Sequence, residues 1–251
     1  MSKLNISLIF YPNHQTNHKE VLDIKNALEY FDNNVKLFTV NRDLISQIRN
    51  NHTDLIFNLV RRHNNTKYNV SIAALCELLG LNMIGPNVFT SCIINSKEIL
   101  VKVLKYDNIP LLDSLIPPKY SDIIDVFLLE NQNSIILQKF PLNFKFESNL
   151  KLKITEICKK SYQSIHGSDF CHLSFFLKQK AEPLLYKINP QPSLGNDGDF
   201  AQQAKLDGIN YNILINLIVL NALHKYTLPI SKKYIELENL LHGKFLPIQY
   251  H

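Results

Sequence analysis

The sequence has few of the residues that mark several common classes of protein. Its 251 residues include no tryptophan, two methionines, seven glycines and four cysteines that form no CxxC pair. Without such pairs, a zinc finger or a disulfide framework is not expected, and we predict buried, reduced thiols. The longest apolar stretch, residues 213–223, is shorter than the roughly 20 residues that cross a bilayer, so no membrane contact is expected.

Arginine is also scarce, and its distribution limits the ligands that the chain can bind. All four arginines lie early in the chain, at Arg42, Arg49, Arg61 and Arg62. The net charge is +5, but the other basic residues are scattered lysines with no basic stripe, which excludes a typical nucleic-acid-binding surface. The first residues lack a signal-peptide pattern, and we expect a reducing, cytoplasmic location.

The residues that are present predict a globular protein in which strands and helices alternate. Hydrophobic residues make up 45% of the chain and charged residues 20%. Strands are predicted at 4–10, 35–40, 54–60 and 83–84, and helices at 20–31, 44–49 and 71–79. This alternation with short connections predicts an α/β fold with a doubly wound parallel sheet.

A group of cationic residues follows the third predicted strand. Arg61, Arg62 and His63 come directly after residues 54–60. Ligands of such sheets bind beyond the carboxyl ends of the strands, so these side chains predict a site for an anion or a substrate carboxylate. A solvated loop without a ligand is the alternative.

The second half of the chain predicts a different arrangement. Strands 171–177 and 184–188 are joined by the polar turn KQKAEP and predict a hairpin, and IILQKF predicts another strand. Asp197 and Asp199 are expected to cap the helix that begins near residue 200. Helices are predicted at 96–105, around 122–129, and at 150–165, 200–226 and 233–241.

Five segments then follow one another in a specific order. They are DLIFNLV at 54–60, NVSIAALCELLGLNMIG at 69–85, NSKEILVKVLKYDNIP at 95–110, KINPQPSLG at 187–195 and LDGINYNILINLIVLNAL at 206–223. In this order they resemble the ATP-grasp ligases, and among them the D-alanine–D-alanine ligases. The resemblance implies a Rossmann-like N-terminal domain over 1–90, followed by a shortened central ATP-grasp subdomain over 91–150 and a C-terminal one over 151–251.

The resemblance also implies a chemistry and a set of nucleotide-binding residues. These ligases use ATP to activate a carboxylate as an acyl phosphate, which an amine then attacks, and cations stabilise the phosphates. Lys97 matches the family lysine of the first ATP-binding segment. Lys139 is a candidate for the second phosphate lysine; alternatively, its strand is the adenine hinge, with Gln138 where the family has an acid.

The metal site departs from the family pattern, in which an Arg-x-Asp strand pairs with a Glu-x-Asn strand. Here His172 stands at the arginine position, Ser174 at the aspartate position and Lys187 at the glutamate position, so Asn189 is the one retained ligand. A lysine repels Mg²⁺, so the pattern argues against a bound Mg²⁺, although Lys187 could neutralise phosphate directly. A slip of the strand register would instead bring Asp169 into the site.

Glycine departs from the pattern as well. The family covers the phosphates with a glycine-rich loop, but this chain has no glycine between positions 85 and 167. Because the chain lacks the loop, the arginine and two metal ligands, the resemblance predicts a degenerate homologue that binds a nucleotide, a peptide or a protein partner with little or no turnover. The alternative is a divergent, active ATP-dependent carboxylate–amine ligase for amino acids or peptides.

Two further expectations remain. A binding module unrelated to ligases would be favoured if residues 170–195 did not form a hairpin at the cleft. Family members are often dimers, so a homodimer is expected.

Overall fold

The amino-terminal part of the chain folds around a parallel sheet. The computed structural model describes residues 3–11, 15–61, 68–112, 123–131, 134–138, 148–178 and 182–244. The sheet order is β2-β1-β3-β4 with all neighbours parallel, which confirms the predicted parallel sheet. Its strands are β1 (Asn5–Phe10), β2 (Asn34–Thr39), β3 (Leu55–Asn58) and β4 (Met83–Ile84).

Helices cover both faces of this sheet. Leu8 of β1 belongs to one core cluster and its neighbour Ile9 to another, so the central strand is buried on both sides. The fourth helix was not predicted; the Asn87 side chain caps its start by accepting from the Thr90 N–H at 2.8 Å. The helices are α1 (Gln15–Tyr30), α2 (Leu44–Asn50), α3 (Tyr68–Leu78) and α4 (Val88–Asn95).

The second sheet is antiparallel, in the order β6-β5-β7-β8. Its strands are β5 (Ile123–Asn131), β6 (Ser134–Gln138), β7 (Phe170–Lys178) and β8 (Glu182–Asn189). Two helices, α5 (Lys97–Tyr106) and α6 (Ser148–Ser164), pack on one face of it through residues that include Leu104 and Ile154. The predicted hairpin is confirmed as β7 and β8.

The segment 122–129 is not the predicted helix, because its residues 123–129 belong to β5. Ile124, Val126 and Leu128 are buried in the cluster that holds α5 and α6, whereas Asp125 and Phe127 alternate with them on the opposite face. This period of two suits a strand, as does the run of β-branched and aromatic residues, and β5 is hydrogen-bonded to a strand on each side.

The predicted helix 200–226 is two helices, α7 (Asp199–Leu206) and α8 (Tyr211–Lys225), bent by 103°. Gly208 adopts a positive φ of 78° at the break, and the Asn210 side chain caps α8 by accepting from the Ile213 N–H at 2.9 Å. α8 is buried on nearly all sides, and α9 (Lys232–Lys244) follows. Within the described ranges no single helix is long and apolar enough to span a membrane, although α7 and α8 together reach that length and composition.

Two smaller predictions differ from the structure. Gly198, not an aspartate, is the N-cap of α7, while Asp197 pairs with Lys19 and Asp199 lies in the first helical turn, where a carboxylate favours the helix dipole. All four cysteines are free thiols, but Cys92 is exposed, unlike Cys76, Cys158 and Cys171.

Candidate functional site

One face of the antiparallel sheet is apolar, and the other carries polar side chains next to the buried Phe127 and Phe170. Leu173 and Phe175 of β7 are buried in the cluster with α5 and α6, so His172 and Ser174, which alternate with them, lie on the opposite face. Residues paired directly across strands share a face, which extends this surface to β5 and β8. We call it the polar face, and it comprises Asp125, His172, Ser174, Lys187 and Asn189.

The strand register of the polar face is the one predicted from the sequence. Ser174 lies opposite Lys187 and His172 opposite Asn189, with an irregularity just after Ser174. Asp169 precedes β7; its buried carboxylate accepts from the Gly85 N–H at 2.8 Å and lies 3.4 Å from the Lys225 ammonium. The alternative register that would place Asp169 on the polar face is therefore wrong.

Asp125 is the residue of the polar face that sequence reasoning missed. It lies on β5 directly opposite Ser174. Its Oδ1 is 2.8 Å from His172 Nε2 and accepts from the Ser174 hydroxyl at 2.5 Å. Because the segment was interpreted as a helix, its outward carboxylate was not considered; the run of β-branched and aromatic residues around Asp125 was the signal that could have placed it on a strand.

The polar face stabilises the ionised form of Asp125. Burial raises the pKa of this carboxyl, but the hydrogen bonds from His172 and Ser174, together with the charges of His172 and Lys187, outweigh burial and leave the pKa below its ordinary value. Burial raises the pKa of the neighbouring Tyr186, and the negative charge of Asp125 raises it further against a hydrogen bond with Ser174. The face therefore presents one carboxylate beside the His172 imidazole and the Lys187 ammonium.

The imidazole of His172 is held firmly. Its ring stacks on Phe127 with 4.5 Å between centroids and an interplanar angle of 14°, and Phe127 in turn stacks on Phe200 of α7. Asp125 and Ser174 both approach the same nitrogen, Nε2. A catalytic Ser-His-Asp relay needs the two residues on different nitrogens, so this cluster is not one.

The donor atoms of the polar face fit Mg²⁺ poorly. Mg²⁺ prefers hard oxygen ligands with little competition, whereas Asp125 is already paired with His172 and lies close to Lys187. The Oδ1 atom of Asn189 accepts from the Gln191 N–H at 3.0 Å. Across the described part of the chain, no three His, Cys, Asp or Glu side chains come close enough together to hold a metal ion.

Arg61 binds protein groups at the carboxyl end of β3. Its two Nη atoms donate to the carboxylate of Glu20 in α1, at 2.7 and 2.5 Å. Nε donates to the carbonyl of Gln191 at 3.0 Å, and Nη2 to that of Pro192 at 2.9 Å. Arg61, which was predicted to bind an anion, thus links the parallel sheet to the loop after β8. Arg62 and His63 lie outside the described residues.

The three remaining predicted nucleotide ligands are distributed around the second sheet. Lys97 is the exposed first residue of α5, a helix that packs on the apolar side through Leu100 and Leu104. Gln138 ends β6 opposite Phe127, at a register position on the polar face. Lys139 lies outside the described residues. The structure therefore brings Lys187, Asn189 and the position of Gln138 to one face, with Lys97 on a helix of the other layer.

Comparisons with known proteins give a consistent family. The sequence model described as D-ala D-ala ligase C-terminus matches residues 79–220, which is more than half of the chain. Among curated proteins no sequence matches.

Solved structures share the fold at low sequence identity. The D-alanine–D-alanine ligase of Bacillus anthracis, complexed with ATP, has a TM-score of 0.71 and 17% identity, covering 88% of this chain and 97% of its own. The enzyme of Coxiella burnetii has a TM-score of 0.73 and 13% identity, over 97% and 98% of the two chains. The VanG D-Ala:D-Ser ligase of Enterococcus faecalis has a TM-score of 0.68 and 10% identity, over 88% and 100%.

Proposed function

Because the chain belongs to the D-ala D-ala ligase family through the C-terminal region of these enzymes, we propose that it binds ATP or a related nucleotide on the polar face, with little or no ligase turnover. The observation that carries this proposal is the composition of that face. The family resemblance places an arginine and two metal-binding carboxylates at the positions of His172, Ser174 and Lys187.

The polar face offers direct contacts for phosphate without a metal ion. Lys187 is exposed and supplies an ammonium group with three N–H donors, and the Asn189 amide lies beside it across from His172. The pairing of Asp125 with His172 reduces the repulsion that a free carboxylate would exert on an anionic ligand. These residues can bind a polyphosphate chain, but they do not supply the bridging cation that stabilises phosphoryl transfer.

Asp125 also supports a second candidate function, a divergent and active carboxylate–amine ligase for amino acids or peptides. Its carboxylate restores one acidic group next to the position where the family has an aspartate, because Asp125 pairs directly with Ser174. In such an enzyme a ligand that displaced His172 would free Asp125 for a metal. A protein partner or a homodimer is compatible with either function.

Calorimetric titration of ATP with and without Mg²⁺ tests the proposal. We expect binding without Mg²⁺ and no gain when Mg²⁺ is added. Lys187→Ala should weaken binding by about ten-fold, as expected for one charged contact to phosphate, whereas Lys178→Ala, an exposed lysine at the far end of β7, should not. Lys97→Ala, with Lys105→Ala on the same helix as its control, tests whether Lys97 contributes to ATP binding.

Two results would contradict the proposal. Binding that requires Mg²⁺ would show that the polar face holds a metal, and release of phosphate with amino-acid pairs would then establish the ligase alternative. Absence of ATP binding in both conditions would remove the nucleotide and leave a protein or peptide partner.

A further inference from the structure

A cavity of about 460 Å³ lies at the amino-terminal edge of the parallel sheet, away from the polar face. Leu4 precedes β1 and Asp54 precedes β3, so both mark the edge opposite the one that Arg61 follows. The residues that follow α1 and the start of α9 form its other walls. The volume is in the range of small-molecule sites, which are concave and mostly apolar with a few polar groups.

The floor of the cavity is apolar. Leu4, Phe31 and Leu228 are only partly buried and pack against the main core, and Leu223 of α8 lies beneath them. Their exposed portions face the same space, and covering them with an apolar ligand would remove that surface from water.

Several polar groups of the wall already have partners within the protein. Asn33 donates to Tyr234 at 2.8 Å, and Asp54 accepts from the Asn5 backbone at 2.8 Å while lying 3.0 Å from His52. A ligand therefore need not satisfy these groups.

The lysines of the wall outnumber its carboxylates. Lys233 pairs with Asp32 at 2.7 Å, and this hydrogen bond is the main reason why the pKa of Asp32 lies below its usual range, with Lys3 adding to the effect. Lys232 is 90% exposed and lies 3.9 Å from Glu236, and a surface ion pair of this kind contributes little to stability. Lys3 and Lys232 thus place two ammonium groups at the mouth of the apolar cavity.

From the apolar floor and the excess of lysine at the mouth, we propose that this cavity is a second ligand site, specific for a small amphipathic carboxylate. The aliphatic or aromatic part of the ligand lies on Leu4, Phe31 and Leu228, and its carboxylate lies between Lys3 and Lys232. The site is separate from the polar face and does not depend on nucleotide binding there.

Titration of octanoate, kept below its critical micelle concentration, into the full chain tests the site. Acetate, which lacks the long alkyl chain, and octan-1-ol, which lacks the carboxylate, are the comparison probes. We expect saturable one-to-one binding of octanoate that is at least ten-fold tighter than that of either probe. The variant with both Lys3→Glu and Lys232→Glu should bind octanoate at least ten-fold more weakly. Lys151→Glu, an exposed lysine on α6, should bind like the parent chain.

The lysines are exposed, so their replacement should leave the circular dichroism spectrum unchanged, and that spectrum is recorded for each variant. Absence of saturable octanoate binding would overturn the proposal. So would equal affinity for octan-1-ol, or an unchanged affinity in the double variant.

Discussion

Replacing Arg61 tests whether the contact between α1 and the loop after β8 stabilises the fold. Arg61 donates four hydrogen bonds, two to the Glu20 carboxylate and two to the carbonyls of Gln191 and Pro192. The side chain of Glu20 is 5% exposed and that of Arg61 28% exposed. In Arg61→Ala the carboxylate would keep its hydrogen bond from the Leu194 N–H but lose its counter-ion.

The expected loss of stability follows from this geometry. Removing one member of a buried ion pair costs about 3–5 kcal/mol, mainly because the other charge stays buried without a partner. The partial exposure of Arg61 lets water reach the vacated space, so we expect a value near the lower limit, roughly 3 kcal/mol. Arg61→Lys should fall between the parent chain and Arg61→Ala, because lysine keeps the charge but not the two parallel N–H donors.

Urea unfolding measures this prediction. The chain has 11 tyrosines and no tryptophan, so tyrosine fluorescence and far-ultraviolet circular dichroism are the suitable signals. Arg49→Ala, an exposed arginine on α2, is the matched control and should change the free energy of unfolding by less than about 0.5 kcal/mol. A loss below about 1 kcal/mol in Arg61→Ala, or one equal to the control, would refute the reasoning.

Three further predictions, made with four substitutions, test other parts of the structure. Lys187→Glu places a second carboxylate near Asp125, so ATP titration should show a new dependence on Mg²⁺. If no such dependence appears, these paired positions do not form a metal site. The folded chain lowers the pKa of Asp125, so the ionised carboxylate stabilises the fold at pH values above its ordinary pKa of 3.8. In urea unfolding the parent chain should therefore be more stable than Asp125→Asn above pH 3.8, and this difference should disappear as the pH falls from 3.8 through the pKa of Asp125 in the folded chain. Gly167→Ala would bring a Cβ within 2.4 Å of the buried Tyr162 ring and should lower the free energy of unfolding by about 1–3 kcal/mol. Gly80→Ala meets no atom within 4 Å and should cost only the strain of its φ of 62°, about 1 kcal/mol, and equal losses in the two glycine variants would argue against the clash.

Local patterns were sufficient to predict much of the fold. β1 and β3 are short apolar runs between turn residues, and their burial on both faces explains why they lack alternation. The hairpin of β7 and β8 was also predicted, and the resemblance predicted the pairing of Ser174 with Lys187. The register between Lys178 and Glu182 alone would pair Ser174 with Tyr186, and the irregularity after Ser174 shifts its partner to Lys187.

The errors have two different causes. The predicted helix at 122–129 rested on Asp122 and Asp125, although the β-branched and aromatic residues of 123–129 favour the strand that pairs with β6 and β7. The position of Asp125 on the polar face was therefore not predicted. The partner of Arg61 could not be found either, because Glu20 lies 41 residues earlier and no local pattern joins them.

The contacts of Glu20 also concern how long the folded chain persists. Its carboxylate accepts from the backbone of Leu194, 174 residues away in sequence, so this contact closes a very long loop. Such contacts are expected to form late in folding, after the parallel sheet and the hairpin exist. Interactions absent from the transition state slow unfolding without speeding folding. The hydrogen-bonded junction of α1 with the loop after β8 should therefore act chiefly on the unfolding rate.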